Sequence, residues 1–345
     1  MYAERSRAQL GAAASSVREL QKNLAGSDTA VLQIVALPEE VVEICVTARE
    51  TEMQRRAIAR SVAESLAVRS ANRDEDTRSL AELYDIVIRP FEPLLATSKQ
   101  LIVIADRPLQ NVPFAALYDA STRRYLIERI AVSTAMSASA LRPMSQTPAR
   151  DSLLAVALPS GESNIGLPES AREIADVAPL YASAITIAPD RATFAAFADA
   201  ASNANVIHIA GHTKRESDDN GTALMFAHDR VTWSAIAIRR LPQAPIVILA
   251  ACETLQQRAP SYARSMTLGD GFLAAGAADV VGTLTPIADA EARELFQSIH
   301  RHLAAGAVAS DAVRLAQIEA LSRHSGAWRA IASLTQCIHK NVKRS

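Results

Sequence analysis

The stretch that decides the fold is Asn205-Val-Ile-His-Ile-Ala-Gly-His212-Thr213, together with Pro245-Ile-Val-Ile-Leu-Ala-Ala-Cys252-Glu253-Thr254 further along the chain. Each segment begins with a short apolar run rich in β-branched residues, which is typical of a strand buried on both faces of a parallel sheet. Each run ends at a reactive side chain, an imidazole in the first segment and a thiol in the second. The sequence therefore predicts two buried strands that carry His212 and Cys252 at their carboxyl ends.

These two residues form a candidate catalytic pair, because the carboxyl ends of strands in an open α/β sheet lie at one rim. A thiol with its ordinary pKa of about 8.5 is mostly protonated at neutral pH, and a neighbouring imidazole can accept its proton or stabilise the thiolate. The sulfur would attack a carbonyl carbon, and the same histidine would return the proton to the leaving amine. The plainer interpretation is that each residue is a buried core group, as single cysteines and histidines often are.

The segments around this pair alternate between strand and helix, which predicts an α/β fold with a mostly parallel sheet flanked by helices. From residue 151 to the C-terminus, the predicted strands are Leu153–Leu158, Ala184–Ala188, the two reactive strands and Asp279–Leu284. The predicted helices are Pro168–Tyr181, Thr193–Ala201, Leu268–Ala275, one that Asp289 caps and one that begins near Ser310. The polar segment Thr213–Thr222 is expected to be a loop, either flexible at the site or simply solvated.

The first part of the chain predicts a second group of strands and helices. The predicted elements are a helix over residues 3–25, a hairpin of Ala30–Leu37 and Val41–Val46, helices over 52–72 and 78–95, and strands Gln100–Ala105 and Ala131–Ala138. The apolar stripe of the first helix needs a partner. We favour packing on the body of the same chain, and the alternative is that the helix continues an upstream helical repeat region. Residues 143–152 are the best candidate linker.

Bulk composition excludes several classes of function. The 345 residues include 36 Lys and Arg against 37 Asp and Glu, and no basic stripe interleaved with aromatic residues, so we expect no nucleic-acid partner. No apolar run is long enough to span a membrane and the N-terminus has no signal-peptide pattern, so we expect a soluble cytoplasmic protein. Three widely spaced cysteines, Cys45, Cys252 and Cys337, suit a reducing compartment.

The sequence resembles the CHAT peptidases, caspase-like proteases that are often joined to TPR repeats and are more distantly related to separase. The resemblance runs from about Thr29 to the C-terminus. Its motifs are Asp106-Arg-Pro-Leu-Gln-Asn-Val-Pro-Phe-Ala-Ala-Leu117, Tyr125-Leu-Ile-Glu-Arg129, Leu167-Pro-Glu-Ser-Ala-Arg-Glu173, the His212 strand, Ala251-Cys-Glu-Thr254 and Gly269-Asp-Gly-Phe-Leu-Ala-Ala-Gly-Ala277. The resemblance implies a caspase-like fold in which residues 27–150 are an accessory lobe without a dyad and residues 151–345 are the catalytic lobe. Residues 1–26 are then an N-terminal helix.

The same resemblance implies a regulated cysteine endopeptidase that cleaves a protein partner in bacterial signalling or defence. Cys252 is the nucleophile and His212 the acid and base. The backbone N–H groups of Cys252 and Thr213 are the oxyanion donors, and the backbone of Thr283, Leu284, Thr285, Pro286 and Ile287 binds an extended peptide substrate. No metal or cofactor is expected, and a TPR-like region or a regulator protein is the implied control.

Two positions depart from the family pattern and favour an alternative function. Glycine is usual directly after the catalytic histidine, where this chain has Thr213, and a tryptophan is usual near Leu284, where this chain offers Thr285. Threonine disfavours positive φ, so an oxyanion hole built on it would be altered. The alternative is a non-catalytic caspase-like module that binds peptides or serves as a scaffold.

Other residues near the pair have plainer interpretations. His208 and His212 share the spacing of zinc ligands on a helix, but in a strand their rings lie roughly 13 Å apart, too far for one zinc ion. We therefore expect His208 to be a core group or a group that supports the site. Glu216, Asp218, Asp219 and a backbone carbonyl are all candidates for orienting His212. Glu253 is expected to be structural.

Overall fold

The computed structural model describes residues 16–71, 77–106, 109–144, 150–159, 168–216, 221–257 and 266–340. The chain divides into two compact units. The first consists of residues 3–147 together with 335–345, and the second of residues 148–334. None of the helices in the described ranges is long and apolar enough to cross a membrane.

The main sheet of the first unit contains both parallel and antiparallel strand pairs. Its strands are β1 (Thr29–Ala36), β2 (Val41–Val46), β3 (Thr51–Arg56), β4 (Gln100–Ala105), β5 (Tyr118–Asp119), β6 (Arg124–Tyr125), β7 (Ala131–Thr134) and β8 (Arg142–Met144). Its helices are α1 (Val17–Leu24), α2 (Arg60–Ser70), α3 (Arg78–Val87), α4 (Glu92–Leu95) and α5 (Leu126–Arg129). The main sheet has the order β7-β4-β1-β2-β3. Pairs β7–β4 and β4–β1 are parallel, whereas β1–β2 and β2–β3 are antiparallel.

Two helix predictions in this unit were wrong in part. Residues 51–56 form the edge strand β3 instead of helix, because their side chains alternate between exposed and partly buried and their backbone pairs with β2. The helix predicted over 78–95 ends at Val87, since Pro90 and Pro93 interrupt the regular hydrogen-bonding pattern. The hairpin of β1 and β2 and the strand β4 are confirmed.

The N-terminal helix α1 packs on the body of the first unit. Its apolar residues Leu20 and Leu24 are buried in one cluster with Val31, Val46 and Ile102. Ser16 caps the helix by accepting a hydrogen bond from the backbone N–H of Glu19, whose side chain bonds back to Ser16. These contacts favour packing within the same chain, and residues 3–15 of the predicted helix lie outside the described residues.

The second unit has a main sheet of six strands with helices on both faces, and a separate sheet of three strands. Its strands are β9 (Ser152–Ala157), β10 (Ser183–Ile187), β11 (Val206–Ala210), β12 (Thr213–Arg215), β13 (Thr222–Met225), β14 (Arg230–Val231), β15 (Ile246–Ala250), β16 (Asp279–Thr283) and β17 (Ile331–Thr335). Its helices are α6 (Pro168–Val177), α7 (Phe194–Ala201), α8 (Trp233–Ala237), α9 (Leu268–Ala275), α10 (Asp289–Ala304) and α11 (Ala309–Ser322). The main sheet has the order β10-β9-β11-β15-β16-β17, and the separate sheet has the order β12-β13-β14. The four pairs from β10 to β16 are parallel, which confirms the α/β prediction.

Alternate residues of β11 bury their side chains on opposite faces of this sheet. Ile207 and Ile209 belong to the apolar cluster that includes Phe197 of α7 and Phe272 of α9. His208, between them, contacts the ring of Phe296 on α10. The reactive strand is therefore clamped between helices on both sides, which fixes the position at which it leaves the sheet.

Three features of the second half of the chain differ from the sequence prediction. Segment 213–222 is not a plain loop, because β12 and β13 pair as an antiparallel hairpin around residues 217–220, which lie outside the described residues. Ala288 occupies the N-cap of α10, and Asp289 is the first residue of the helix. The last strand, β18 (Cys337–His339), pairs with β8, so residues 335–345 group with the first unit and not with the second lobe to which the sequence assigned them.

Candidate active site

The strands β11 and β15 are neighbours and end in the same register. Ala210 pairs with Ala250, so His212 and Cys252 each follow the last paired residue by two positions. The N–H of Gly211 donates to the carbonyl of Ala250 across 3.1 Å, which continues the pairing beyond the strands. The structure therefore brings both predicted residues to one edge of the sheet, at the ends of adjacent strands.

Cys252 and His212 are both partly exposed, unlike the other two cysteines. Cys45 and Cys337 are buried. Burial, with a smaller contribution from Glu52, raises the pKa of the Cys45 thiol to about 12. Cys252 is thus the cysteine that solvent reaches, and the nucleophilic form of Cys45 is suppressed at neutral pH.

The sharp turn after β11 requires glycine at position 211. A Cβ atom there would lie 2.5 Å from the Cβ of Leu158, which follows β9. Leu158 is held in place by its own N–H, which donates to the carbonyl of Ala210 across 2.8 Å. The absence of a side chain at Gly211 lets the chain bend towards His212 directly at the end of the strand.

Thr213 lies in a regular strand and not in a strained turn. The N–H of Met225 donates to the carbonyl of His212 and the N–H of Glu216 to that of Gly221. Hydrogen-bonded pairs alternate along an antiparallel ladder, so the N–H of Thr213, between these positions, points to the side of β12 opposite β13. The backbone geometry at position 213 therefore does not disfavour threonine, and the role of its N–H as an oxyanion donor stays a prediction.

Two threonine contacts join the loop after β15 to β16. The hydroxyl of Thr283 donates to the carbonyl of Ala251 across 2.8 Å. The N–H of Thr283 donates to the hydroxyl oxygen of Thr254 across 3.0 Å. Gly282 makes this approach feasible, because a Cβ atom at 282 would lie 2.4 Å from the same Thr254 oxygen.

Part of the backbone predicted to bind a peptide already forms hydrogen bonds within the chain. Of the residues from Thr283 to Ile287, two already use their N–H groups within the chain, Thr283 to Thr254 and Leu284 to the carbonyl of Ala330 at 2.8 Å. Pro286 has no N–H to donate. The N–H groups of Thr283 and Leu284 therefore bond within the chain, Thr285 and Ile287 have the other N–H groups of this segment, and peptide binding by its backbone stays a prediction.

The residues proposed to orient His212 divide into two groups. Glu216 is described, and its backbone N–H bonds to Gly221, but no hydrogen bond to the imidazole is found for it among the described residues. Asp218 and Asp219 lie outside the described residues. The choice among them and a backbone carbonyl therefore stays a prediction.

Comparison with known families identifies the chain. The model of the CHAT domain matches residues 77–336, which is well over half of the sequence and includes both reactive strands. The chain belongs to the CHAT domain family. The family predicted from the sequence motifs is therefore confirmed.

Solved structures with the same architecture come from the Saccharomyces cerevisiae separase–securin complex. One crystal structure of that complex matches this CHAT protein with a TM-score of 0.62 at 8% identity, and a second with 0.63 at 9%. Each match covers 93% of this chain and 31% of the matched chain. At such low identity the likeness shows the fold alone, which is caspase-like, as predicted. The comparison with curated proteins found no match.

The sequence missed a buried polar cluster below the reactive strand of this CHAT protein. His300 of α10 lies between Tyr181 and His208, and Glu173 of α6 lies 3.2 Å from Nε2 of His208. His208 and His300 are fully buried, and Glu173 is 4% exposed. The prediction that His208 is a core group agrees with this burial. Within the described ranges, no group of three or more residues that could hold a metal ion was found.

Proposed function

We propose that this CHAT protein is a cysteine endopeptidase with Cys252 as nucleophile and His212 as general acid and base. The observation that carries the proposal is the shared register of β11 and β15, which end at these two partly exposed residues. A thiol and an imidazole at neighbouring strand ends form the minimum set for acyl transfer. The buried Cys45 and Cys337 lack such a setting.

In the proposed reaction, His212 takes the proton from Cys252 and the sulfur attacks the carbonyl carbon of the scissile peptide bond. The backbone N–H groups of Cys252 and Thr213 stabilise the negative oxygen of the intermediate. The carbon–nitrogen bond then breaks, and His212 gives its proton to the leaving amine. Water, activated by the same histidine, hydrolyses the thioester and restores the thiol.

The substrate is an extended segment of a partner protein. We place it beside the chain that follows β16, where the backbone groups of Thr285 and Ile287 pair with it as an added strand. The solved separase structures contain securin, a protein partner. This precedent and the family resemblance support control of the present protein by a regulator protein or a TPR-like region, in bacterial signalling or defence.

Cleavage of an unbiased peptide library tests the proposal. We expect the full chain to cut a subset of peptides, and the Cys252→Ala and His212→Ala variants to cut none of them. Cleavage that survives in Cys252→Ala would refute the assignment of the nucleophile. Peptides that bind the parent protein but are never cut would instead favour the scaffold function.

A further inference from the structure

The turn after β15, residues 251–255, is tied to β16 on both sides of the reactive cysteine. The carbonyl of Ala251 accepts a hydrogen bond from Thr283, and the N–H of Leu255 donates to the carbonyl of Thr283 across 2.9 Å. These contacts fix the two ends of the turn. The peptide group between Cys252 and Glu253 lies between these two anchored ends.

Thr213 supplies a hydrogen bond at that peptide group. Its hydroxyl donates to the carbonyl oxygen of Cys252 across 2.7 Å, a short contact between the two strand ends. Thr213 directly follows His212, so the contact joins the histidine segment to the cysteine turn. Thr213, which makes this contact, stands at the position where the family usually has glycine.

The conformation of Glu253 explains why this bond matters. Glu253 has a φ of 58°, in the left-handed region that costs a residue with a side chain about 1 kcal/mol or more. The carbonyl of Cys252 and the N–H of Glu253 belong to one planar peptide group. A flip of that group would move Glu253 out of the left-handed region and would also turn the backbone of Cys252. A hydrogen bond to the carbonyl therefore opposes the flip.

A second contact from the same strand is made with the side chain of Glu253. Arg215 lies two residues after Thr213, and its guanidinium lies 3.3 Å from a carboxylate oxygen of Glu253. The Arg215 side chain is 66% exposed, so this ion pair contributes little free energy. The hydroxyl of Thr213 is therefore the stronger of the two constraints.

We propose that the Thr213 hydroxyl is a positioning group, which holds the peptide between Cys252 and Glu253 so that the sulfur faces His212. This inference rests on the proposed function, because it assigns a residue that supports the reactive thiol. It gives the side chain of Thr213 a role separate from that of its backbone N–H.

The test measures the rate at which iodoacetamide alkylates Cys252 in the full chain, between about pH 5 and pH 10, with mass spectrometry to identify the modified cysteine. Thr213→Val removes the hydroxyl at constant shape, and Thr213→Ser keeps it. Thr222→Val, on the next strand of the same hairpin, is the matched control. Labelling of the buried Cys45 and Cys337 reports loss of the fold in every sample.

We expect alkylation in Thr213→Val to be about threefold to tenfold slower at pH 7, the range that one net hydrogen bond allows. The midpoint of its pH profile should move upward, and its rate should approach that of the parent near pH 10, where the thiolate forms without help. Thr213→Ser and Thr222→Val should match the parent protein.

Equal pH profiles for Thr213→Val and the parent would overturn the positioning role and leave the protease proposal standing. New labelling of Cys45 or Cys337 in Thr213→Val would overturn it in favour of a role in folding, and so would a slow Thr213→Ser variant. If Cys252 of the parent reacts as slowly as the two buried cysteines, the proposed function fails and the positioning role fails with it.

Discussion

Nε2 of His300 lies 3.0 Å from Nδ1 of His208 in the interior of the second unit, so one imidazole donates a hydrogen bond to the other. The second nitrogen of His300 lies 2.7 Å from the hydroxyl of Tyr181. The carboxylate of Glu173 faces His208 from α6, and Arg150 is close enough to Tyr181 to act on it electrostatically. This cluster links the helices α6 and α10 to the strand that delivers His212.

We predict that acid destabilises the protein partly through His300. Burial, with a further contribution from His208, lowers the pKa of His300 well below its ordinary value. His300 is therefore neutral in the folded protein and binds a proton more readily when unfolded. Its contribution to stability is present above the unfolded pKa of about 6.5 and is lost as the pH falls, by about 1.4 kcal/mol per pH unit.

Urea unfolding at about pH 8 and pH 5 measures this effect. The His300→Gln variant should lose less free energy of unfolding between the two pH values than the parent does. The His228→Gln variant, which changes an exposed histidine, should behave like the parent. An unchanged pH dependence in His300→Gln would contradict the prediction.

We predict that Glu43, in the first unit, gives stability the opposite pH dependence, so that its contribution is lost as the pH rises. Its side chain is fully buried, with Arg56 at 3.7 Å as its ionic neighbour. Burial raises the pKa of Glu43 to about 7, and Arg56 limits the rise. The group therefore favours the folded state below the unfolded pKa of about 4.5, and this benefit is lost as the pH rises through about 7.

The Glu43→Gln variant should consequently be more stable than the parent at pH 8, by about 2–3 kcal/mol, and nearly equal to it at pH 5. Urea unfolding of the two proteins at both pH values checks this result. Glu39→Gln, in the exposed turn before β2, is the control and should change neither value. A variant that is less stable than the parent at pH 8 would show that the Arg56 pair outweighs the burial of charge.

Gly282 is predicted to be essential for the geometry of the cysteine turn. A Cβ atom at this position would meet the Thr254 hydroxyl oxygen at 2.4 Å and Cγ of Leu255 at 2.9 Å. Gly282→Ala should cost about 1–3 kcal/mol of stability and slow the alkylation of Cys252. Gly326→Ala meets no atom within 4 Å and serves as the control. Thermal unfolding and alkylation rates of both variants measure the difference, and equal behaviour would contradict the assigned contact.

The sequence predicted the features that are local or periodic. Short β-branched runs that end at His212 and Cys252 predicted the two strands, and the rule that the carboxyl ends of strands in an open α/β sheet lie at one rim predicted the shared edge. The edge strand β3 was missed because its polar residues from Thr51 to Arg56 fit helix and strand equally well, and only pairing with β2 decides between them.

The parts that sequence could not supply depend on partners distant in the chain. His208 lies beside Glu173, which precedes it in the chain, and beside His300, which lies far beyond it and also contacts Tyr181, and no spacing rule connects these positions. The role of Thr213 was interpreted from its type alone, as a departure at an oxyanion position. Its hydroxyl contact with Cys252 depends on the hairpin of β12 and β13, which was expected to be a loop.

Whether Cys252 and His212 act as a thiol–imidazole pair is tested by the alkylation rates of all three cysteines at pH 7, in the parent and in His212→Ala. We expect Cys252 of the parent to react much faster than Cys45 and Cys337, and we expect His212→Ala to remove this advantage while the protein stays folded. A Cys252 that reacts equally fast without His212, or no faster than the two buried cysteines in the parent, would contradict the claim.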